Sequence, residues 1–445
     1  MTILHISTRL ILGGSQENTV LSCEGQARLG HEVHLAYGPI YGPEGSLLER
    51  VTAFNARCAA GQEDAKPITA YIVPDLCREI DLVRDVRCVG QLQALIKAVR
   101  PDVVHTHSSK AGILGRIAAY LVWQASKRKG ESWPAVVHTI HGPPFMPIEG
   151  GWLRRTKVRI NNAIYTRAEK TAANKCHRIV SVADAMTRQF LARGIGTPEL
   201  YETVRSGMEI EPYLVVAKGG DRAGVRESLG FDDTHLVIGT VARLAEHKGH
   251  DDIIAAITQL SQGPRACNMS RWRLLWIGDG WCRERLIANA LAAGLGVVQL
   301  DRARQAPLAP ATGKLPTVVL TGLVPPQRIA SLMRAMDVLC HPSYREGLPR
   351  TLPQALLAKV CPVAYDCDGT GEVCIDMQTG RLVPTGDTAQ LAAALDWCAR
   401  NPDQRAMLAE AGHVKCIAEF SAQAMVHHLD GVYARAMGVA VSRAR

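Results

Sequence analysis

The sequence predicts an α/β protein built from two doubly wound domains in tandem, each a parallel sheet covered by helices. Two observations carry this. Short apolar runs alternate with longer stretches whose apolar residues recur at helical spacing, the sign of strands linked by covering helices. At 445 residues the chain is too long for one core, and the alternation runs twice through it with a break in the middle.

In the first half the strands are expected at residues 3–7, 32–37, 68–73, 103–106, 135–140 and 178–181. Between them lie patterns such as CVGQLQALIKAVR, apolar at i, i+3 and i+4. In the second half LVIGTVA, RLLWIGD, TVVLTGL, VLCHP and CPVAY read as strands. The domains are therefore expected at 1–210 and 231–415. A linker is expected at 211–230, where Gly and charge replace strand character. Residues 416–445 should form a terminal helix packing back on the first domain, with 420–437, FSAQAMVHHLDGVYARAM, amphipathic. CAAGQEDAKP (58–67) and DRARQAPLAPATGKLP (301–316) read as flexible surface insertions. No repeat of solenoid period is present.

Composition narrows the function classes. No run of about 18 uncharged apolar residues exists, so no membrane-spanning helix is expected. MTILHISTRL reads as a first strand and not as a signal peptide, so a cytoplasmic location is expected. Thirteen cysteines without a C-x-x-C pair suggest reduced, mostly buried thiols and neither a disulfide framework nor a zinc site. A net charge of +9 suits polyanionic ligands, while only 5% aromatic residues without basic–aromatic interleaving argue against nucleic acid.

Five segments carry chemistry. LILGGSQENTVL follows the first strand, and Gly13-Gly14 would let a ligand approach a helix N-terminus, although a purely structural turn fits equally. The absence of GxGxxG disfavours a dinucleotide dehydrogenase. DVVHTHSSKAG delivers His105, His107, Ser108 and Lys110 at a strand's carboxyl end, where open α/β sheets bind ligands. A polar rim contacting a substrate is expected there, since a metal site would want further ligands. HTIHGPPF holds His141 before a stiff Gly-Pro-Pro turn, a structural or a functional histidine. In GTVARLAEHKGHDDIIAA, Arg243 and Lys248 lie five apart between strand and helix, a fork and a point charge suited to one diphosphate. Finally, VLCHPSYREGLPRTLPQALLAK exposes Glu346-Gly347 in a turn, Pro353 suits the first turn of the next helix, and CPVAY then leads into the Gly-rich DCDGTGE loop.

Taken in order, GG, Gly30-His31, HTHSSKAG, HTIHGPPF, SGMEIEPY, ARLAEHKG, IGDG, REGLP and DCDGTGE resemble family 4 glycosyltransferases, the retaining GT-B class, over nearly the whole chain. The resemblance implies two facing Rossmann-like domains around a central cleft, with a nucleotide-sugar donor on the second and an acceptor on the first, contacted by His105, His107, Ser108 and Lys110. It implies that Arg243 and Lys248 neutralise the donor diphosphate, that Glu346 holds hydroxyls of the transferred sugar, and that His141 lies near the reacting sugar. Gly347 and Leu348 amides would face the phosphates, with Gly13, Gly14, Gly278, Gly369 and Glu372 also on the donor. The family's motif is Glu, seven residues, Glu; here Glu346 is followed by Gln354, at the position usually associated with the ribose hydroxyls.

The function expected is transfer of a sugar with retention from a nucleotide diphosphate, a UDP-sugar, to a glycan or lipid-linked acceptor in polysaccharide or lipopolysaccharide assembly. No cofactor and no divalent metal are expected, because side-chain cations serve the leaving group. Two other readings stay open: a catalytically silent sugar-nucleotide-binding protein, motivated by Gln354, and an inverting GT-B enzyme using His141 or Asp102 as base. Residues 152–178 carry eight Lys/Arg against one acid behind Trp152, so peripheral contact with an anionic membrane is expected alongside the alternative of a solvated helix face.

Overall fold

The computed structural model describes residues 1–40, 45–142, 145, 152–214, 221–263, 269, 271–300 and 317–444. The expected insertion 301–316, the two prolines of HTIHGPPF and residues 215–220 of the expected linker lie outside the described residues. The chain forms two compact units, Met1–Met208 with Phe420–Arg445, and Glu209–Glu419.

The first unit holds seven parallel strands: β1 (Thr2–Ser7), β2 (Glu32–Tyr37), β3 (Thr69–Ile72), β4 (Val103–His107), β5 (Ala135–Ile140), β6 (Arg178–Ser181) and β7 (Tyr201–Thr203). Their order is β3-β2-β1-β4-β5-β6-β7, so the winding reverses between β1 and β4. The second unit holds β8 (Leu236–Val241), β9 (Trp272–Ile277), β10 (Gly296–Gln299), β11 (Thr317–Gly322), β12 (Val338–His341), β13 (Cys361–Asp366) and β14 (Arg381–Pro384). Its order is β10-β11-β9-β8-β12-β13-β14, reversing between β8 and β12. Every expected strand is present. The three that sequence reasoning missed, β7, β10 and β14, are edge strands of three or four residues. Being paired on one side only, they need no long apolar run.

The C-terminal helix begins later than expected, at Ala422, after Ser421 bridges to Met208, and runs to Ala444. Its buried residues Met425, Val426, Leu429, Val432, Tyr433, Ala436 and Ala440 recur at helical spacing and join Ile3, Leu21, Val103 and Val137 in one core. The close approach to helix Gly14–Arg28 needs Gly25, where a Cβ would lie 2.4 Å from Val426 Cγ2.

Two expectations are corrected. The described parts of the expected linker, 211–214 and 221–230, group with the second unit, where buried Arg226 donates from Nη2 to Asp337 at 2.6 Å and from Nε to the Ala335 carbonyl at 3.0 Å. The 58–67 stretch does not hang loose, because Glu63 pairs with Arg28 at 2.6 Å and Arg57 at 3.3 Å, and Asn55 brackets the backbone of Ile68 with two 2.8 Å hydrogen bonds. The cysteines among the described residues are free thiols, all but Cys58 buried.

Candidate functional site

Polar side chains gather at the carboxyl ends of both sheets, at each reversal of winding. In the second unit the loop after β8 ends at Gly249, which has φ 70° and opens helix His250–Gln262. A Cβ there would lie 2.0 Å from the Pro342 carbonyl oxygen, so only glycine lets this loop press against the loop after β12. Ser343 Oγ and the Tyr344 amide both donate to the His247 carbonyl, at 3.1 and 2.9 Å. Tyr344 and Tyr365 hydroxyls both donate to Asp252 in the first turn of that helix, at 2.6 and 2.7 Å.

This strapping sets Lys248 against Glu346, Nζ to Oε1 at 2.5 Å. His341, the last residue of β12, meets the same oxygen through Nε2 at 3.1 Å, and its Nδ1 meets Thr351 Oγ1 at 3.3 Å. The loop after β13 closes the knot: Asp368 Oδ2 accepts from the Glu346 amide at 2.8 Å, and the Gly369 amide donates to the Gly347 carbonyl at 3.1 Å. Burial alone would raise the Glu346 carboxyl, but the hydrogen bond and charge of His341, with those of Lys248, hold it well below the usual carboxylate range. It is therefore an ionised acceptor at neutral pH.

Arg243 is exposed, and its guanidinium stands 5.7 Å from the centre of the Trp281 ring. Trp281 Nε1 donates to Glu246 at 2.9 Å. The two cations expected to converge on one anion therefore have different partners: Lys248 is held by a carboxylate and Arg243 lies on an indole. Gly278 brings the loop after β9 close, since a Cβ there would lie 2.2 Å from the Ala242 carbonyl oxygen. Gln354 is half-buried in helix Thr351–Leu357, with Pro353 in its first turn. Leu348 and Gly369 are buried, Gly347 and Glu372 half-buried, and Glu372 lies in the 3-10 turn Thr370–Glu372 that Gly369 begins.

In the first unit a cavity of about 370 Å³ opens at the carboxyl ends of β4 and β5, with Ser15, Ser108, Ser109, Thr139, His141 and Glu169 among its lining. Ser108 holds φ 63°, uncommon for a residue with a side chain, and its hydroxyl meets Thr8 Oγ1 at 2.8 Å. Glu169 pairs with fully buried Arg116 at 2.6 Å. Gly13 and Gly14 form the turn before Ser15, with Gly14 opening its helix.

The rim expected of His105 and His107 is instead a buried layer beneath the cavity. Parallel register puts His5 beside His105 and His107 beside Thr139, with alternate residues on one face. His5 and His105 have no exposed surface and His107 almost none. Such side chains cannot themselves touch an acceptor. Their ring atoms come within 4.8 Å of one another, as in a metal site, yet both nitrogens of each ring are already engaged by protein groups. Burial pulls His5 down to about 4 against the raising effect of its Gln26 hydrogen bond, and drives His105, His107 and His138 well below the ordinary histidine range. Lys110 turns away to pair with Asp85 at 2.6 Å and to donate to the Glu79 carbonyl. Asp102 lies at the amino end of β4, accepting from the Thr2 amide at 2.8 Å, so it sits at the wrong edge of the sheet to serve as a base beside His141. His341, Asp252, His5, Gln26, Thr139 and Tyr433 are the site-building residues that sequence reasoning did not single out for these places.

Two Rossmann-type units, each with polar groups gathered at the reversal of its sheet, define the GT-B class of glycosyltransferase. Residues 12–209 match the model described as Glycosyltransferase Family 4, and residues 221–415 match Glycosyl transferases group 1. The chain belongs to glycosyltransferase family 4. It is 31% identical over 181 residues to the UDP-Gal:alpha-D-GlcNAc-diphosphoundecaprenol alpha-1,3-galactosyltransferase of Escherichia coli, covering 41% of this chain and 42% of that one. It is 27% identical to the 2-deoxystreptamine N-acetyl-D-glucosaminyltransferase of Streptomyces fradiae over 66% of this chain and 62% of the relative, so it matches less than two thirds of either relative's length. Among solved structures, Anabaena HepE in complex with UDP is similar in fold, with a TM-score of 0.69 at 18% identity over 98% of this chain and 100% of that one. WaaG, a glycosyltransferase involved in lipopolysaccharide biosynthesis, gives 0.66 at 16% over 97% and 99%.

Proposed function

We propose that the protein is a retaining glycosyltransferase that moves a sugar from a UDP-sugar to a glycan or lipid-linked acceptor. The observation that carries this reading is the knot of Lys248, His341 and Glu346 at the reversal between β8 and β12. An ionised carboxylate there accepts hydrogens from sugar hydroxyls, while the ammonium keeps further N–H donors for phosphate oxygens. As the bond from the anomeric carbon to the diphosphate breaks, negative charge grows on the leaving group. Lys248 and the exposed Arg243 stabilise it, each such donor contributing about 3 kcal/mol. The acceptor hydroxyl attacks from the same face and gives its proton to a leaving phosphate oxygen, so neither a paired carboxylate nor a divalent metal is required. His141 faces the cavity that we assign to the acceptor.

The printed activity of the Escherichia coli relative, a UDP-sugar donor with a diphosphoundecaprenol-linked acceptor, and the UDP complex of HepE support the donor and acceptor classes. A lipid-linked acceptor also suits helix Trp152–Ala173, which exposes Trp152, Ile160 and Ile164 among Arg155, Lys157, Arg159, Arg167 and Lys170. Each cation near an anionic leaflet contributes about 1 kcal/mol. None of the described helices is long and apolar enough to cross a membrane.

Incubation with UDP-sugars and a panel of glycan and diphosphate-lipid acceptors tests this, with the anomeric configuration of the product read by NMR. Retention is expected; inversion would refute the mechanism. Donor binding without transfer or donor hydrolysis across the panel would favour the silent binding protein that Gln354 suggests.

A further inference from the structure

The buried layer under the cavity is two hydrogen-bond files that start from one amide. Gln26 has no exposed surface and sits on helix Gly14–Arg28. Its Oε1 meets His5 Nε2 at 2.7 Å; His5 Nδ1 meets His107 Nε2 at 2.9 Å; His107 Nδ1 meets His141 Nε2 at 3.1 Å. Its Nε2 donates to the Tyr433 hydroxyl at 2.9 Å; that hydroxyl meets His105 Nδ1 at 2.6 Å; His105 Nε2 meets Thr139 Oγ1 at 2.6 Å. His141 and Thr139 both line the cavity.

A neutral imidazole has one donor and one acceptor nitrogen, so each file has a direction. An amide oxygen only accepts. His5 must then carry its proton on Nε2, which makes its Nδ1 an acceptor and puts the His107 proton on Nε2. The same step puts the His141 proton on Nε2 and leaves its Nδ1 the acceptor nitrogen. In the other file the fully buried Tyr433 hydroxyl accepts from the amide N–H, and its own hydrogen goes to its other hydrogen-bond partner, His105 Nδ1. His105 then donates from Nε2 to Thr139, whose own hydroxyl hydrogen is left to point elsewhere. Turning the Gln26 amide over would reverse both files together and exchange the two outputs.

We propose that Gln26 is a positioning residue that sets the proton polarity of both files, fixing the Nε2–H tautomer of the His141 ring and the hydroxyl direction of Thr139 at the cavity. Its consequence for sugar transfer rests on the function proposed above; the polarity itself does not. Burial keeps His5, His105 and His107 neutral near pH 7, the condition for a directed file.

Long-range ¹H–¹⁵N NMR of the histidine rings tests the polarity without substrate. His5, His105, His107 and His141 should all carry the Nε2–H tautomer. His138, whose Nδ1 lies 3.1 Å from the Thr106 carbonyl oxygen, should carry Nδ1–H and act as an internal reference. In Gln26→Met the four should leave the pure Nε2–H positions while His138 stays. An Nδ1–H tautomer at any of the four in the unaltered protein, or four unmoved resonances in Gln26→Met, would overturn the proposal. Should Gln26→Met fail to fold, the unaltered protein's spectrum decides alone. In the transfer assay Gln26→Met should lower kcat by about 10- to 100-fold, the lower part of what a proton-positioning group contributes, at unchanged donor KM. A chain that transfers no sugar but shows the four tautomers would sink the functional reading and leave the polarity standing.

Discussion

Acidification to pH 5.5 should unfold the first unit while the second stays folded. His5, His105, His107, His138 and His177 are all buried in the first unit, and burial lowers every one of them, His5 to about 4 and His177 to about 3. The neighbouring cations Arg116 at His138, and Arg443 and Arg178 at His177, act in the same direction. In the unfolded chain each ring takes a proton near pH 6.5 that the folded ring refuses, so the unfolded state binds more protons and stability rises with pH. That stability is complete above about pH 7.5 and is lost as pH falls through 6.5 towards the folded values. At pH 5.5 the loss is on the order of 1 kcal/mol for each ring, hence on the order of 5 kcal/mol for the five, against a typical total of about 5–15 kcal/mol. In the second unit burial lowers His250 to about 4 and also lowers His235 and His247, which are less buried, so fewer fully buried rings contribute there and the loss is smaller. The assay is urea unfolding at pH 7.5, 6.5 and 5.5, followed by a hydrogen-exchange pulse at one fixed pH and peptide-resolved mass spectrometry. The urea midpoint of peptides from 1–208 should collapse by pH 5.5. Equal midpoints at pH 7.5 and 5.5 for those peptides, or both units falling in step, would show that these rings are not held neutral.

Three further outcomes are expected. Gly249→Ala places a Cβ 2.0 Å from the Pro342 carbonyl oxygen at φ 70°. It should cost the second unit more than about 2 kcal/mol, by urea midpoint, and abolish thermal stabilisation by UDP. Glu346→Gln should cut turnover by about 100-fold, whereas Gln354→Glu should shift donor affinity and leave turnover within about threefold; the reverse pattern would exchange the roles assigned to the two positions. Sedimentation with phosphatidylglycerol vesicles should pull down the protein, and Trp152→Ser with Lys157→Glu should weaken this at least about fivefold, roughly 1 kcal/mol, with no change in stability; undiminished binding would remove the helix from the membrane surface.

The fold was legible because central strands advertise themselves. Residues such as Val103 and Val136 are buried on both sides of a parallel sheet, which demands continuous apolar runs. Edge strands make no such demand, and RLVP or YET carry no signal until a neighbour pairs with them. In the second unit Lys248 and Glu346 stood out as charged residues in loops beside glycine. Their mutual contact did not, because it depends on Gly249 letting two loops 98 positions apart close on each other. Where the Arg243 and Lys248 side chains rest was hidden for a related reason. Spacing along a loop says where two cations start, while Glu346 and Trp281 decide where the side chains end.

The histidine layer was hidden for a different cause. Period-2 alternation within DVVHTH places His105 and His107 on one face, a pattern that reads equally as a rim at the strand's end or as polar groups beneath it. What separates these is the partner set: Gln26 and Tyr433 lie on helices far apart in sequence, and only their packing over the sheet gives His5 Nε2 and His105 Nδ1 their hydrogen bonds. Buried polar groups without such partners would each cost about 1–3 kcal/mol, so a strand that spends two core positions on histidine is tolerated only inside a complete network. The strained backbone points the same way. Ser108 and Asp368 hold φ 63° and 46°, one at the cavity and the other against the Glu346 amide, each where a side chain must be aimed and not merely packed. Arg100, Lys359 and Met377 also hold positive φ, but ahead of β4, β13 and β14 at the amino edge, so a strained residue marks a site only where topology puts it at the carboxyl edge beside a reversal of the sheet.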